Sequence, residues 1–145
     1  MVEAPLAPAL APRPAFGRSR LTPVQRAGLA YERKVLRQAR AAWAPRGAEV
    51  LHNPWIRYFR EKTRYCCPDI VILTPGRGVI LECKLSWTSE AEEKVLGLYL
   101  PLAEELWPGR IWATYGVCKH WRAEAGSLPL IGPQEGAGFR WILWG

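Results

Sequence analysis

An α/β fold with a mixed central β-sheet flanked by helices follows from three features of this 145-residue sequence. The first is a long, well-capped helix near the N-terminus. The second is a mid-chain hairpin of two almost wholly aliphatic strands. The third is another helical stretch with strand-like segments after it. Helices interleaved with apolar strands bury their faces by packing the helices onto a sheet, and this length suits one domain.

The first helix starts at Thr22, an N-cap residue followed by Pro23 at the first helical position and by Gln25, which completes a capping box. It should run to about Trp43, where Pro45 and Gly47 stop it. Its inward stripe reads Gly28, Leu29, Glu32, Leu36, Ala39 and Trp43, and Arg26, Arg33, Lys34, Arg37 and Arg40 take the opposite face. Glu32 is out of character on that stripe. A carboxylate that loses hydration needs a partner or a metal. Ahead of this helix, residues 1–21 carry four prolines and no apolar period, which predicts a flexible or extended arm before a single domain over 22–145. Arg13, Arg18 and Arg20 of the arm can touch a phosphate backbone or simply be solvated.

After the helix come short extended stretches at Glu49–His52 and Trp55–Phe59. A basic segment follows, with Arg57, Arg60, Lys62 and Arg64 interleaved with Tyr58, Phe59 and Tyr65. The central hairpin has a strand over Asp69–Leu73, a turn over Thr74–Gly78 and a return strand over Val79–Leu85. Continuous β-branched and aliphatic residues place it inside the sheet, covered on both faces. A second helix spans about Ser89–Leu106, kinked or divided at Pro101. Further strands are expected at Arg110–Val117 and Phe139–Trp144, with a Gly- and Pro-rich stretch between them from Lys119.

The net charge of +7 favours a polyanionic partner. Residues 1–64 hold 13 Lys+Arg against 4 Glu, a net of +9, whereas residues 65–145 hold 7 against 9 acids, a net of −2. The first half therefore reads as the electrostatic footprint, with Arg26, Arg33, Arg57, Arg60, Lys62 and Arg64 as the nucleic-acid contacts, and the second half as scaffold and site. The four cysteines form no CxxC pair, which speaks against structural zinc. No signal peptide or spanning apolar run is visible, so an intracellular, cytoplasmic protein with reduced thiols and no membrane role is expected. Few Met, Asn and Gln and many Pro suit a thermophilic source.

Chemistry concentrates on the hairpin. Asp69 is the single aspartate, beside twelve glutamates. Glu82 and Lys84, two apart on a strand, point to one face, which sets an acid and a cation side by side in an apolar strand. Asp69 opens the partner strand and comes near Glu82. Two carboxylates so close repel unless a cation bridges them. An incomplete set of oxygen ligands suits Mg²⁺, with Mn²⁺ as a substitute and water filling the remaining positions. The Cys83 side chain faces the other way, but its backbone carbonyl is positioned to be a further ligand. The metal would polarise a phosphoryl oxygen and activate water, and Lys84 would stabilise the pentacoordinate charge or orient the water. The competing reading of the same residues is a buried Glu82–Lys84 or Asp69–Lys84 ion pair without catalysis. His52, His120, Lys94, Ser86 and Trp87 are weaker candidates, each with a structural role as its simpler explanation.

Pro68-Asp69, a hairpin and Glu82-Cys83-Lys84 resemble the PD-(D/E)xK signature of the restriction-endonuclease-like superfamily, across roughly residues 22–117. Glu32 matches the glutamate that a core helix of that superfamily often supplies. The resemblance implies a restriction-endonuclease-like core. A narrower resemblance is to archaeal-type Holliday junction resolvases, including those of phages of thermophiles, which carry a G-x-x-x-E-R pattern. Here that pattern is Gly28-Leu29-Ala30-Tyr31-Glu32-Arg33. It implies a homodimer that nicks opposed strands of a four-way DNA junction, an active site of Glu32, Asp69, Glu82 and Lys84, and Arg33 near the scissile phosphate. A different nuclease on the same core and a non-catalytic nucleic-acid-binding protein remain the alternatives.

Overall fold

The computed structural model describes residues 7–15, 20–86, 88–120 and 138–144. Its architecture is α/β. A five-stranded mixed sheet has the order β2(Glu49–His52)-β5(Ile70–Thr74)-β6(Arg77–Ser86)-β7(Ile111–His120)-β8(Phe139–Leu143). The β2–β5 and β5–β6 pairs are antiparallel, and β6–β7 and β7–β8 are parallel. A smaller antiparallel sheet, β1(Ala9–Leu10)-β3(Ile56–Arg60)-β4(Lys62–Cys66), stands beside it.

Helix α1(Pro23–Trp43) has Thr22 as its N-cap, and the reciprocal Thr22–Gln25 bonds of a capping box are both formed. The buried stripe is Tyr31, Glu32, Val35, Leu36 and Ala39. It is rotated from the expected one: Tyr31 and Val35 turn inward, and Trp43 is left exposed. The reason is tertiary. The Tyr31 hydroxyl donates to the Trp144 carbonyl at 2.7 Å, and the Trp144 indole N–H donates to the Gln38 side chain, so the C-terminal segment pulls this face of the helix onto the sheet.

The β5–β6 hairpin is covered on both faces, as its aliphatic composition requires. Ile70, Ile72, Leu81 and the half-buried Cys83 and Leu85 pack under α1. Val71, Leu73 and Ile80 pack on the other face against Val95, Tyr99, Leu102 and Ala103. Its turn is two residues long, with Pro75 and then Gly76 at φ 76.

The second helical stretch is divided, and the division precedes Pro101. Helix α2(Ser89–Lys94) runs into a π-helical turn over Val95–Tyr99 and then α3(Leu100–Leu106). The Leu100 N–H reaches back to the Val95 carbonyl, an i→i+5 bond that spares the ladder the donor Pro101 lacks. Strand β7 extends three residues further than expected, to His120, along its parallel partner β6. Gly116 lets the sheet continue under β8, since a Cβ there would lie 2.7 Å from the Phe139 and Trp141 rings.

The basic segment is the largest departure. It forms a tight hairpin, with Arg60 paired to Lys62 across Glu61 at φ 67. No Gly or Asn marks that reversal, so no turn signal announces it. The arm is extended at Ala9–Leu10, which pair with Arg57 and Ile56 of β3. Arg18, Trp87 and the side chain of His120 lie outside the described residues. No described helix is long and apolar enough to cross a membrane.

Candidate active site

Three acids reach one end of the five-stranded sheet from separate elements. Asp69 stands at the start of β5. Its Oδ2 accepts the Cys83 backbone N–H at 2.7 Å, which ties it to β6. Glu82, on the face of β6 turned toward the π-helical turn, is 2% exposed. Glu32 comes from α1 on the opposite face of the sheet and is 7% exposed. The Asp69 carboxylate lies near enough to both glutamates to raise the pKa of each.

Their protonation follows from that crowding. Burial, and then the adjacent Asp69, push Glu32 up to about 8; Asn53 and Lys84 pull weakly the other way. The same two causes push Glu82 up to about 9, against the pull of Lys84 and Lys94. Around neutral pH the glutamates therefore keep protons that they can share with Asp69. His52, at the end of β2, has its Nε2 3.1 Å from Glu32 Oε2. Its pKa is lowered by burial and by Arg40 and Arg33. With Glu32 protonated and His52 neutral, this contact is a hydrogen bond between neutral groups rather than an ion pair.

Lys84 is half-buried beside the acids and forms no ion pair or hydrogen bond among the described residues. The expected alternative, a Glu82–Lys84 or Asp69–Lys84 salt bridge, is therefore not formed. A 450 Å³ cleft opens beside Glu32 and Asp69, lined also by Val24, Gln25 and Gly28 of α1 and by Cys83 and Lys84, with Glu82 behind it. A Cβ at Gly28 would meet nothing within 4 Å, so this side of the helix is open beside Glu32.

Glu32, Asp69, Glu82, Cys83 and Lys84 are thus brought together. Arg33 is exposed next to Glu32, and Arg26 donates to the Leu21 carbonyl at the rim. The basic set of the small sheet is not part of the cluster. Arg57 and Lys62 are exposed on the hairpin, Arg60 stacks on Tyr58, and the Arg64 Nε–H donates to the Arg60 carbonyl.

Two further residues join the site with little in the sequence to mark them. Asn53, the one asparagine of the chain, adopts φ 48, donates its N–H to the Asp69 carbonyl at 2.8 Å and acts to lower the Glu32 pKa. The Asn53-Pro54 pair reads as a turn, which conceals this contact with Asp69. Tyr99 is buried, and its hydroxyl donates to the Cys67 carbonyl at 3.3 Å, bracing the chain just before Asp69. The Lys94 ammonium lies 5.7 Å from the Tyr99 ring and acts electrostatically on Glu82.

The donors suit a hard divalent cation. All are oxygens, two glutamates are strained toward neutrality for want of a positive partner, and the set is incomplete, as an ion that retains water requires. Among the described residues, no three His, Cys, Asp or Glu side chains converge tightly enough to enclose an ion by themselves.

No family model and no curated protein matches this sequence. Among solved structures, a Type III CRISPR defence DNA nuclease activated by cyclic oligoadenylate is similar over 71% of this chain, at 20% identity and a TM-score of 0.47. The matched stretch spans 15% of that chain. A likeness this distant says nothing about the site, whose reading comes from its own residues.

Proposed function

We propose that this chain is a divalent-metal-dependent nuclease that hydrolyses the phosphodiester backbone of DNA. What supports it is the convergence of Glu32, Asp69 and Glu82, from a helix and two strands, beside an unpaired Lys84. Buried acids crowded in this way destabilise the fold unless a ligand compensates. Clusters of strongly shifted groups lining a cleft are candidate functional sites.

Asp69, Glu82 and the Cys83 backbone carbonyl would hold Mg²⁺, or Mn²⁺ in its stead, with Glu32 alongside. When bound, the cation supplies charge stabilisation at the phosphoryl group and acidifies water. The remaining roles belong to the protein. Lys84, with no carboxylate partner to satisfy, donates to the charge that develops on the phosphoryl oxygens. Glu32 and His52, 3.1 Å apart beside Asp69, can pass a proton between them. The Asn53 N–H holds the Asp69 backbone, and the Cys83 N–H keeps the Asp69 carboxylate oriented. Arg26, Arg33, Arg37 and Arg40 along the exposed side of α1 contact the DNA backbone, as do Arg57, Arg60, Lys62 and Arg64.

For the substrate, the Gly28–Arg33 pattern supports a four-way junction cut by paired nicks, with the protein acting as a homodimer. An end-labelled junction and a linear duplex with the same arms test this, with Mg²⁺ and with EDTA. Symmetric nicks in the junction alone, abolished by EDTA and by Asp69→Asn, are expected. Equal cutting of the duplex would keep the nuclease and remove the junction preference. Absence of metal-dependent cleavage of any DNA would overturn the proposal in favour of a binding-only protein.

A further inference from the structure

The small sheet has two unlike faces. Ile56 and Cys66 are buried beneath it, with Tyr58 and Arg64 half-buried on the same side. The register assigns the outward face. Arg57 faces Tyr65 and Phe59 faces Thr63, and all four are exposed. Phe59 is 44% and Tyr65 43% exposed, although a hairpin with a core to pack on has no need of rings turned to solvent. The two rings are diagonal neighbours on adjacent strands, about 7–8 Å apart or somewhat less between their Cβ atoms. Arg57 is the cation of that outward face; Arg60 and Lys62 belong to the other face by register but stand exposed at the hairpin's tip, and Glu61 is the one acid of the hairpin. Glu104 and Glu105 line a groove together with Tyr58, Phe59 and Leu102.

Exposed rings on adjacent strands beside a guanidinium, with two further cations at the hairpin's tip, suit one ligand chemistry well. Bases stack on the rings, and phosphates pair with the guanidinium and ammonium groups. A base inside a duplex has no free π-face, so this recognition needs unpaired bases. Tyr65 is four residues from Asp69 along the chain, which limits their separation to about 14 Å. A strand held on the hairpin is therefore within a few nucleotides of the carboxylates.

We propose that the outward face of the β3–β4 hairpin is a stacking platform for unpaired DNA bases, with Phe59 and Tyr65 as the rings and Arg57 as the phosphate contact between them. This rests on the DNA-cleaving reading for its purpose but not for its test. Binding is measured in EDTA by fluorescence anisotropy, using a labelled oligothymidylate and a blunt duplex of equal length. Removing both rings in Phe59→Ala/Tyr65→Ala should weaken single-strand binding at least about tenfold and change duplex binding less than about twofold. Phe59→Trp/Tyr65→Trp, which keeps the stacking surface, should retain single-strand affinity. In the wild-type protein, an oligonucleotide carrying 5-iodouracil should photocrosslink to Phe59 or Tyr65; this holds even where the double variant fails to fold. Unchanged single-strand affinity, an equal loss on both DNAs, or crosslinks confined to other residues would each overturn the platform. The carboxylate site fails separately, by a cleavage assay in which Asp69→Asn cuts as the wild type does.

Discussion

Two clefts of similar size open on the α1 side of the sheet, and their linings are opposites. The 450 Å³ cleft at the start of the helix holds Glu32, Asp69 and Lys84. The other, of 410 Å³, lies toward the end of the helix and is lined by Trp43, Ile72, Val79, Ile111, Trp112 and Trp144, among others, with no acid. Its apolar, aromatic lining makes it the better pocket for a small molecule. The charged cleft sets two acids beside a lysine. Strand β6 runs through both: its beginning, Gly78-Val79, borders the apolar cleft, and its end, Cys83-Lys84, borders the charged one. Cleft volume therefore does not distinguish the two ends of β6, whereas the charge kept in an apolar strand does.

The comparison can be broken most sharply at Asp69. Asp69→Asn should lower the DNA cleavage rate by about a thousandfold or more, since several kcal/mol of charge stabilisation is lost at about 1.36 kcal/mol per decade. Single-turnover kinetics on a labelled substrate reads this. A rate within tenfold of wild type would mean the charged end is not the catalytic one.

Lys84→Ala should cost about a hundredfold or more, as the loss of one preorganised donor does. Isothermal titration with Mn²⁺ should show the ion still binding, because no carboxylate is removed. Loss of ion binding together with rate would make Lys84 a structural support for the acids instead.

At the apolar end the expected effect is on folding alone. A Cβ on Gly78 would fall 2.5 Å from the Trp112 ring. Gly78→Ala should destabilise the fold by about 1–3 kcal/mol, as overpacking does, with cleavage per folded molecule unchanged. Denaturant titration beside kinetics separates the two. A matching loss of rate would show that the clefts are coupled through β6.

The two ends should also differ in their response to pH. Glu32 and Glu82 have pKa values raised from 4.5 to about 8 and about 9. The folded state thus binds these protons more tightly than the unfolded chain does. Their contribution to stability is fully present below pH 4.5 and is lost as the pH climbs through about 8 and 9. Thermal melts in EDTA should show Tm falling across that window. The fall should shrink with added Mg²⁺ and in Glu82→Gln, whereas Gly78→Ala should leave its slope unchanged.

The smallest effect is expected at Tyr31→Phe, which removes the hydrogen bond to the Trp144 carbonyl. It should cost about 1 kcal/mol of stability, measured by chemical denaturation, and leave the rate alone.

Much of the candidate cluster was legible in the sequence because strands and helices impose periods. Glu82 and Lys84 share a face since strand side chains alternate, and Glu32 interrupts an apolar helical stripe. His52 and Asn53 were less legible. Their approach to Glu32 depends on where β2 ends against β5, a distance across the sheet that no local spacing encodes. The β3–β4 hairpin was concealed for a different reason: Glu61 makes the reversal without a Gly or Asn to mark it.

By itself the sequence determined the capped helix, the aliphatic hairpin, and an acid–cation pair set two apart in a strand. All of these are carried by residues near one another in the chain, where propensity, capping and side-chain period operate. Tertiary structure alone decided that Glu32 and Glu82 reach Asp69 from opposite faces of the sheet and that Lys84 stays unpaired. It also rotated α1 toward the C-terminal segment and turned Phe59 and Tyr65 outward. Those outcomes depend on which faces pack together and how strands register, and the free energy deciding them is shared among residues far apart in sequence.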